Sequence, residues 1–431
     1  MSASSNQKAP LDLSKWAGVP NKLIVVGIIA SVAGLLLDYK LHHGFRQFGF
    51  SWLQSFMFTL SLCLGSLFLV LVHHLFDAGW SVPPRRFLEH IASCLFPWMA
   101  ILFIPIALLA KTIFPWMSSA DPHADHALHA KMPLFTTAGF YAVVAINFLV
   151  WWVLSHGLRR WSIAQDATGD AKCTFKMRAY SYWGIFAFAI TMTFAAIMWM
   201  KALQHQWFST MYGVWYFAGS VWMTLGTAFA IMAVLNRQRV LTRVLHDHQF
   251  YFMGTLFFAF TVFYAYITFS QYFIIWNANM PEETFWYSLR EKGTWVAVSM
   301  VIIFGHFFLP FVALLRIDFK SSPVLVIPLA IWAWLMHYLD LSFNIMPVLH
   351  PEGFGWKWVW LDLGIIALMI GILAKVFLAK YNEAAPYPLK DPRLIEAMGH
   401  AHPVATQISG GELDQTDDMS DAPEHAAKGG H

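Results

Sequence analysis

Ten runs of apolar residues, each near the length that crosses a bilayer, constrain this chain more than any other feature. They lie at about 22–38, 52–74, 87–110, 134–156, 180–201, 211–235, 250–275, 294–315, 322–342 and 358–379. A membrane-spanning helix needs about 20 such residues. Only 12% of the chain is charged, against about 25% in a soluble domain. That much apolar surface needs lipid as its solvent. In lipid every backbone polar group must be satisfied internally, so the runs are expected to be helices. The expected fold class is therefore an all-α membrane protein with about ten transmembrane helices. The first run is short and contains "ASVA", which suggests a signal peptide. Its polar lead of some twenty residues, with dispersed lysines, fits a span better.

Lys and Arg are about twice as frequent in the N-terminal segment and the loops after the even-numbered spans as in the other loops. The positive-inside bias makes that side cytoplasmic, with both termini on it. Trp clusters at span ends, as in "FPWM" and again at 114–117, in the manner of an interfacial belt. The expected organisation is a segment 1–21, a membrane domain 22–380 and a polar tail 381–431. The tail is acidic and rich in small residues, too polar to fold alone, and suited to lying on a partner.

Several chemistries are excluded. A net charge of +3 leaves no nucleic-acid footprint. Cys63, Cys94 and Cys173 form no CxxC or CxxCH, so the chain has no motif for an iron–sulfur cluster, a c-type haem or a disulfide framework. Haem b would need paired histidines at matched depth, and only His306 is clearly central. His123, His126 and His129, in "DPHADHALHAKM", carry metal-ligating side chains but are expected in an outer loop. No metal site is expected.

Charge inside a bilayer costs roughly 2.5 to 3.5 kcal/mol at the centre of a helix, so the residues that persist there are informative. They fall into three groups. The first surrounds "HHLFDAGWSVPPRR". His73 and Asp77 are four apart and expected on one helical stripe. Glu89 and His90 re-enter on the next helix, with His74, Arg85, Arg86 and the interfacial Trp80 nearby. A related pattern recurs at 237–250, where Arg243 precedes His246, Asp247 and His248. That recurrence suggests two related four-helix bundles, helices 2–5 and 6–9. The central group has His306 followed by Pro310, the series Tyr264, Tyr266, Ser270 and Gln271, and Asn147. Pro310 removes the donor for the carbonyl of His306 and is expected to kink the helix. The outer group has His337 and Asp340, three apart, then Asp362, with Glu282 and Glu283 in a loop.

Each group also has a plain reading: interfacial histidines, a structural ion pair, a packing histidine, solvated caps. Together they suggest two proton half-channels separated by a gap. The candidate proton-path residues are His73, His74, Asp77, Glu89, His90, Asp247, His248, Tyr264, His306, His337, Asp340 and Asp362.

"AGWSVPPRR" and "FFAFTVFYAYITFSQYFIIWNANMPEETFWY" (257–287) resemble the NrfD/polysulfide-reductase membrane-subunit family. Within it they are most similar to the second such subunit of the bacterial alternative complex III. The resemblance covers roughly 22–380. It implies ten helices in two four-helix bundles, in a respiratory quinol:cytochrome c (or high-potential acceptor) oxidoreductase of the bacterial cytoplasmic membrane. It implies as partners a multihaem cytochrome c, an iron–sulfur subunit, a second NrfD-like subunit, a monohaem cytochrome c and small membrane subunits. Haem c and iron–sulfur clusters would sit in those partners, and no cofactor in this chain. It also implies a quinol site near the periplasmic face; His337, Asp340 and Asp362 lie at that depth and are the candidates. The function expected is scaffolding with proton conduction and no catalytic residue. The alternatives are a proton-coupled secondary transporter and a purely structural scaffold.

Overall fold

The computed structural model describes residues 14–42, 44–118 and 125–398. It is all-helical, and ten helices are long and apolar enough to cross a membrane. They are α1 (Trp16–Lys40), α2 (Arg46–Leu75), α3 (Gly79–Leu108), α4 (Thr137–Thr168), α5 (Lys172–Trp199), α6 (Tyr212–Arg237), α7 (Asp247–Ala278), α8 (Trp295–Leu315), α9 (Pro323–Val348) and α10 (Trp356–Glu383). Each sequence run has its helix.

Helices α2–α5 close one four-helix ring and α6–α9 a second, and the two meet where α2 packs along α6. Helix α5 also touches α6 and α9 touches α2, so the junction is pseudo-symmetric. The close approach at the junction requires Gly65: a side-chain carbon there would stand 2.8 Å from the Ser220 carbonyl oxygen. Helices α1 and α10 form an antiparallel pair outside the rings, with the backbone of Leu368 filling the space beside Gly27. Small residues allow such contact where lipid offers no hydrophobic drive between helices.

Burial follows this plan. About 83% of the apolar window of α2 and 78% of that of α6 is buried, against 22% in α1, so α2 and α6 are the core and α1 faces lipid. The face where α1 begins and α10 ends is called the terminal face below.

Two spans are irregular. Helix α3 starts earlier than the apolar run, at Val82, because Pro83 and Pro84 occupy its first turn, where no amide partner is needed. It breaks at Phe96, whose backbone is extended, and continues as short helical pieces. Helix α8 does not simply kink at Pro310. Residues Ile303–Phe308 form a π-helical turn, and the Gly305 carbonyl oxygen accepts from Trp332 Nε1 at 2.8 Å. Such turns shift side-chain register and recur at functional sites.

Candidate functional site

At the terminal face, the α2–α3 connection is built as an ion-pair lattice. Arg85, Arg86 and Glu89 share one side of the first turns of α3. Arg85 Nε lies 3.1 Å and Arg86 Nη1 3.4 Å from the Glu89 carboxylate. Arg85 also pairs with Asp391, and Arg86 with Asp166. Arg393 holds Asp391 at 2.8 Å and Asp77 at 3.0 Å, and Arg178 completes Asp77. All three arginines of the lattice core are buried. Burial alone would raise the Asp391 carboxyl, but Arg85 and then Arg393 hold it well below the usual carboxylate range.

The arginines of α3 pair with Glu89, Asp391 and Asp166. Two expectations change here. Helix α2 ends at Leu75 and Asp77 has φ 52°, so Asp77 leaves the stripe of His73. The tail is not separate from the domain: up to Met398 it lies on this mouth. Leu389 N donates to Asp166 and Gln249 Nε2 to the Ala397 carbonyl. Leu394 and Met398 pack against the core.

The histidines are locked into this lattice. His73 Nδ1 meets Ser81 Oγ at 2.6 Å and its Nε2 meets Arg85 Nη1 at 3.0 Å. An arginine nitrogen can only donate, so Nε2 accepts and His73 is neutral in this arrangement. His74 Nδ1 contacts Arg393 at 3.5 Å, and His90 Nδ1 accepts from Arg159 at 3.2 Å. The 237–250 pattern builds nothing comparable. Asp247 and His246 are exposed at the start of α7, with His246 in a capping box with Gln249, and His248 is half-buried. Asp247 and His248 stand apart from any buried path.

The centre of the second bundle differs. His306 and Tyr264 of the expected central group and His337 and Asp340 of the outer group form one constellation. His306 is fully buried and stacks on Trp222 (ring centroids 3.9 Å) and Tyr264 (3.7 Å). One donor atom each from His306, His337 and Asp340 lies within 4.8 Å of the others. His337 Nε2 meets Ser61 Oγ of α2 at 2.9 Å. Neither nitrogen of His306 nor His337 Nδ1 has a well-formed hydrogen bond, whereas the Tyr264 hydroxyl and the Asp340 carboxylate interact with each other and with Trp215. Open buried polar atoms are costly and need an explanation. His306 lies within the π turn of α8.

From the opposite face a second string approaches. His350 Nε2 meets Gln47 Oε1 at 2.7 Å, and Gln47 Nε2 donates to Ser51 at 3.1 Å. Ser51 interacts with Asp362, whose Oδ2 accepts from the Tyr338 hydroxyl at 2.9 Å. Gln54 Nε2 donates to Ser342 beside them. Between Ser61 at the centre and His73 at the terminal face, α2 rises about 18 Å. Its side chains there include buried Leu64, Leu67, Val70 and Leu71, and Ser66 is bonded back to its own helix.

Other residues noted in the sequence have simpler places. Gln271 bridges Ser209 and Tyr287, and Asn147 is buried. Tyr266 is exposed. Glu282 and Glu283 open the short helix Pro281–Arg290, where acidic residues suit the helix dipole. His123 lies outside the described residues. His126 and His129 sit at the two ends of one exposed turn capped by Asp125. Sequence reading missed Asp391 and Arg393, because the tail's overall polarity hid the apolar "YPLKDPRLIEAM" stretch. It also missed buried Arg290, held by the carbonyls of Trp286, Phe343 and Asn344.

The His306–His337–Asp340 set is the candidate metal cluster among the described residues. Ligand atoms around a tetrahedral zinc stand about 3.3 Å apart, so a metal would require these side chains to draw together. Proton exchange among them needs hydrogen-bond reach of about 2.6–3.2 Å or one bridging water. Compared with models of known protein families and with curated protein sequences, the chain finds no match.

Proposed function

We propose that this chain is a membrane subunit of a respiratory quinol-oxidising complex of the NrfD-like kind its sequence resembles, and that it carries protons part of the way across the membrane. The carrying observation is the buried His306–His337–Asp340–Tyr264 constellation, whose histidines keep ring nitrogens without a partner. A proton entering along His350, Gln47, Ser51, Asp362 and Tyr338 would pass to Asp340 and then to the histidines, each of which can take a proton on one ring nitrogen and release one from the other. The apolar stretch of α2 below Ser61 is the gap that stops free leakage. The lysine and arginine bias supports a cytoplasmic terminal face, so the string opens toward the periplasm of a bacterial cytoplasmic membrane. There a quinol-oxidising partner with haem c and iron–sulfur subunits would release protons. His337, Asp340 and Asp362 are enclosed by helices, and the cavity of about 440 Å3 at that face is lined by Leu349–Trp358 instead. This favours proton carriage over quinone contact for those three residues.

A secondary transporter built from repeats would break its helices at matching positions in the two halves. Here the breaks fall in α3 and α8, the second helix of one bundle and the third of the other. The subunit reading is therefore preferred. The test is Asp340→Asn in the complex purified through this chain and reconstituted in vesicles. Retained assembly, haem c in the preparation and at least tenfold slower quinol-driven proton movement are expected. A partner-free protein, or normal proton movement in the assembled variant, would overturn the proposal.

A further inference from the structure

At the terminal face a cleft of about 290 Å3 opens between α4, the break in α3 and the end of α10. It exists because Phe96 takes an extended backbone and α3 does not fill the space. Arg159, Arg160 and Lys380 converge on it, with His156 beside them. None of the three cations forms an ion pair with a carboxylate among the described residues. Arg159 Nε donates to His90, Arg160 lies 5.9 Å from the Trp161 ring, and Lys380 Nζ donates to the oxygens of Ser93. Glu89 and Glu383 reach Arg159 only through longer-range attraction. The contrast with Arg85, Arg86 and Arg393, each paired to a carboxylate a few residues away, is plain. Three like charges gathered in a partly desolvated cleft repel one another, and an anion placed among them removes that cost.

The position selects the kind of anion. The cleft lies between membrane helices beside Lys380, in the last turn of α10 where the apolar run gives way to charge, a position suited to a lipid head group. Phe96 and Trp152 form part of its wall, are both about 40% exposed and stand 5.7 Å apart. The amphipathic Trp152 ring and the apolar Phe96 ring beside basic side chains suit the glycerol and first acyl carbons of a lipid below its phosphate. We propose that this cleft binds the phosphate group of an anionic phospholipid, with Arg159, Arg160 and Lys380 donating to its oxygens.

The test measures phospholipid retained by the full-length protein, with whatever partners it carries, after washing in mild detergent. The wild type is expected to keep about one anionic phospholipid per chain. Each cation near a head group contributes about fivefold, so Arg160→Gln combined with Lys380→Gln should weaken retention about 25-fold. Phosphatidylglycerol vesicles should reload the wild type, and inorganic phosphate should not displace the lipid. Should the double variant fail to fold, Arg160→Gln alone serves, because that side chain is exposed; about fivefold weaker retention is expected. Unchanged retention in a folded variant overturns the proposal. So does equal retention of a zwitterionic lipid, or displacement by inorganic phosphate, which would make this a free-anion site.

Discussion

At the terminal face, Arg85, Arg86 and Arg393 each reach a carboxylate, and Asp77, Glu89, Asp166 and Asp391 are all used. In the middle of the second bundle, His306, His337, Asp340 and Tyr264 have no ion pair, and His306 and His337 keep open ring nitrogens, as His74 and His90 of the lattice also do. Both regions are buried and both are rich in ionisable side chains. Compensation separates them. A charge held by fixed opposite charges has little to gain from exchanging a proton, and His73 is a hydrogen-bond acceptor for an arginine. A cluster that can be neutral, with unused donors and acceptors close together, suits transient protonation. The sequence suggested a proton half-channel in each region, separated by a gap. The structure divides them into a structural lattice and a candidate relay.

Breaking the lattice should cost the most. Arg85→Met removes one partner of a buried network and leaves Asp391 and Glu89 short of a cation. Losing one partner of a buried pair typically costs about 3–5 kcal/mol. Thermal unfolding in detergent should show a large fall in Tm or no recoverable protein, whereas Asp340→Asn should purify at wild-type yield. Equal yields for the two variants would erase the distinction drawn here.

Asp391→Asn should act more gently, by loosening residues 381–398 from the mouth. Faster limited proteolysis in that stretch is the readout. The pH dependence has a definite sign. A carboxyl with a lowered pKa in the folded protein contributes stability above its unfolded pKa of about 3.9, and loses it only as pH falls through the folded value. The wild-type tail should therefore stay protected at pH 4.5. Release at pH 5 would show that Asp391 is not held as described.

The opposite face carries a pH-dependent effect. Lys201 is buried, and burial followed by repulsion from Lys131 lowers its ammonium to about 7. The unfolded chain binds this proton up to about pH 10.4, so stability rises with pH from about 7 to 10.4. Lys201→Met should raise Tm at pH 6 and make little difference near pH 10. A gain independent of pH would assign the effect to packing rather than charge.

The existence of ten spans was readable from the sequence, because a bilayer demands long apolar runs whatever the neighbours are. Individual groups were readable too: His306 beside Pro310, and Arg85, Arg86 and Glu89 at helical spacing. The meeting of His306 with His337 was not, since it depends on a π turn in α8 and on which way α9 faces. Nor was the docking of Asp391 and Arg393, which lie about 300 residues from the arginine and aspartate they pair with.

The sequence alone determined that this chain is a helical membrane protein, since apolar length and scarce charge leave lipid as the only solvent for it. Tertiary structure alone decided which helices are central. Lipid and protein core are both apolar, so hydropathy cannot tell α2 from α1. It also decided which buried charges are matched and which polar atoms stay open, because compensation belongs to pairs brought together in space.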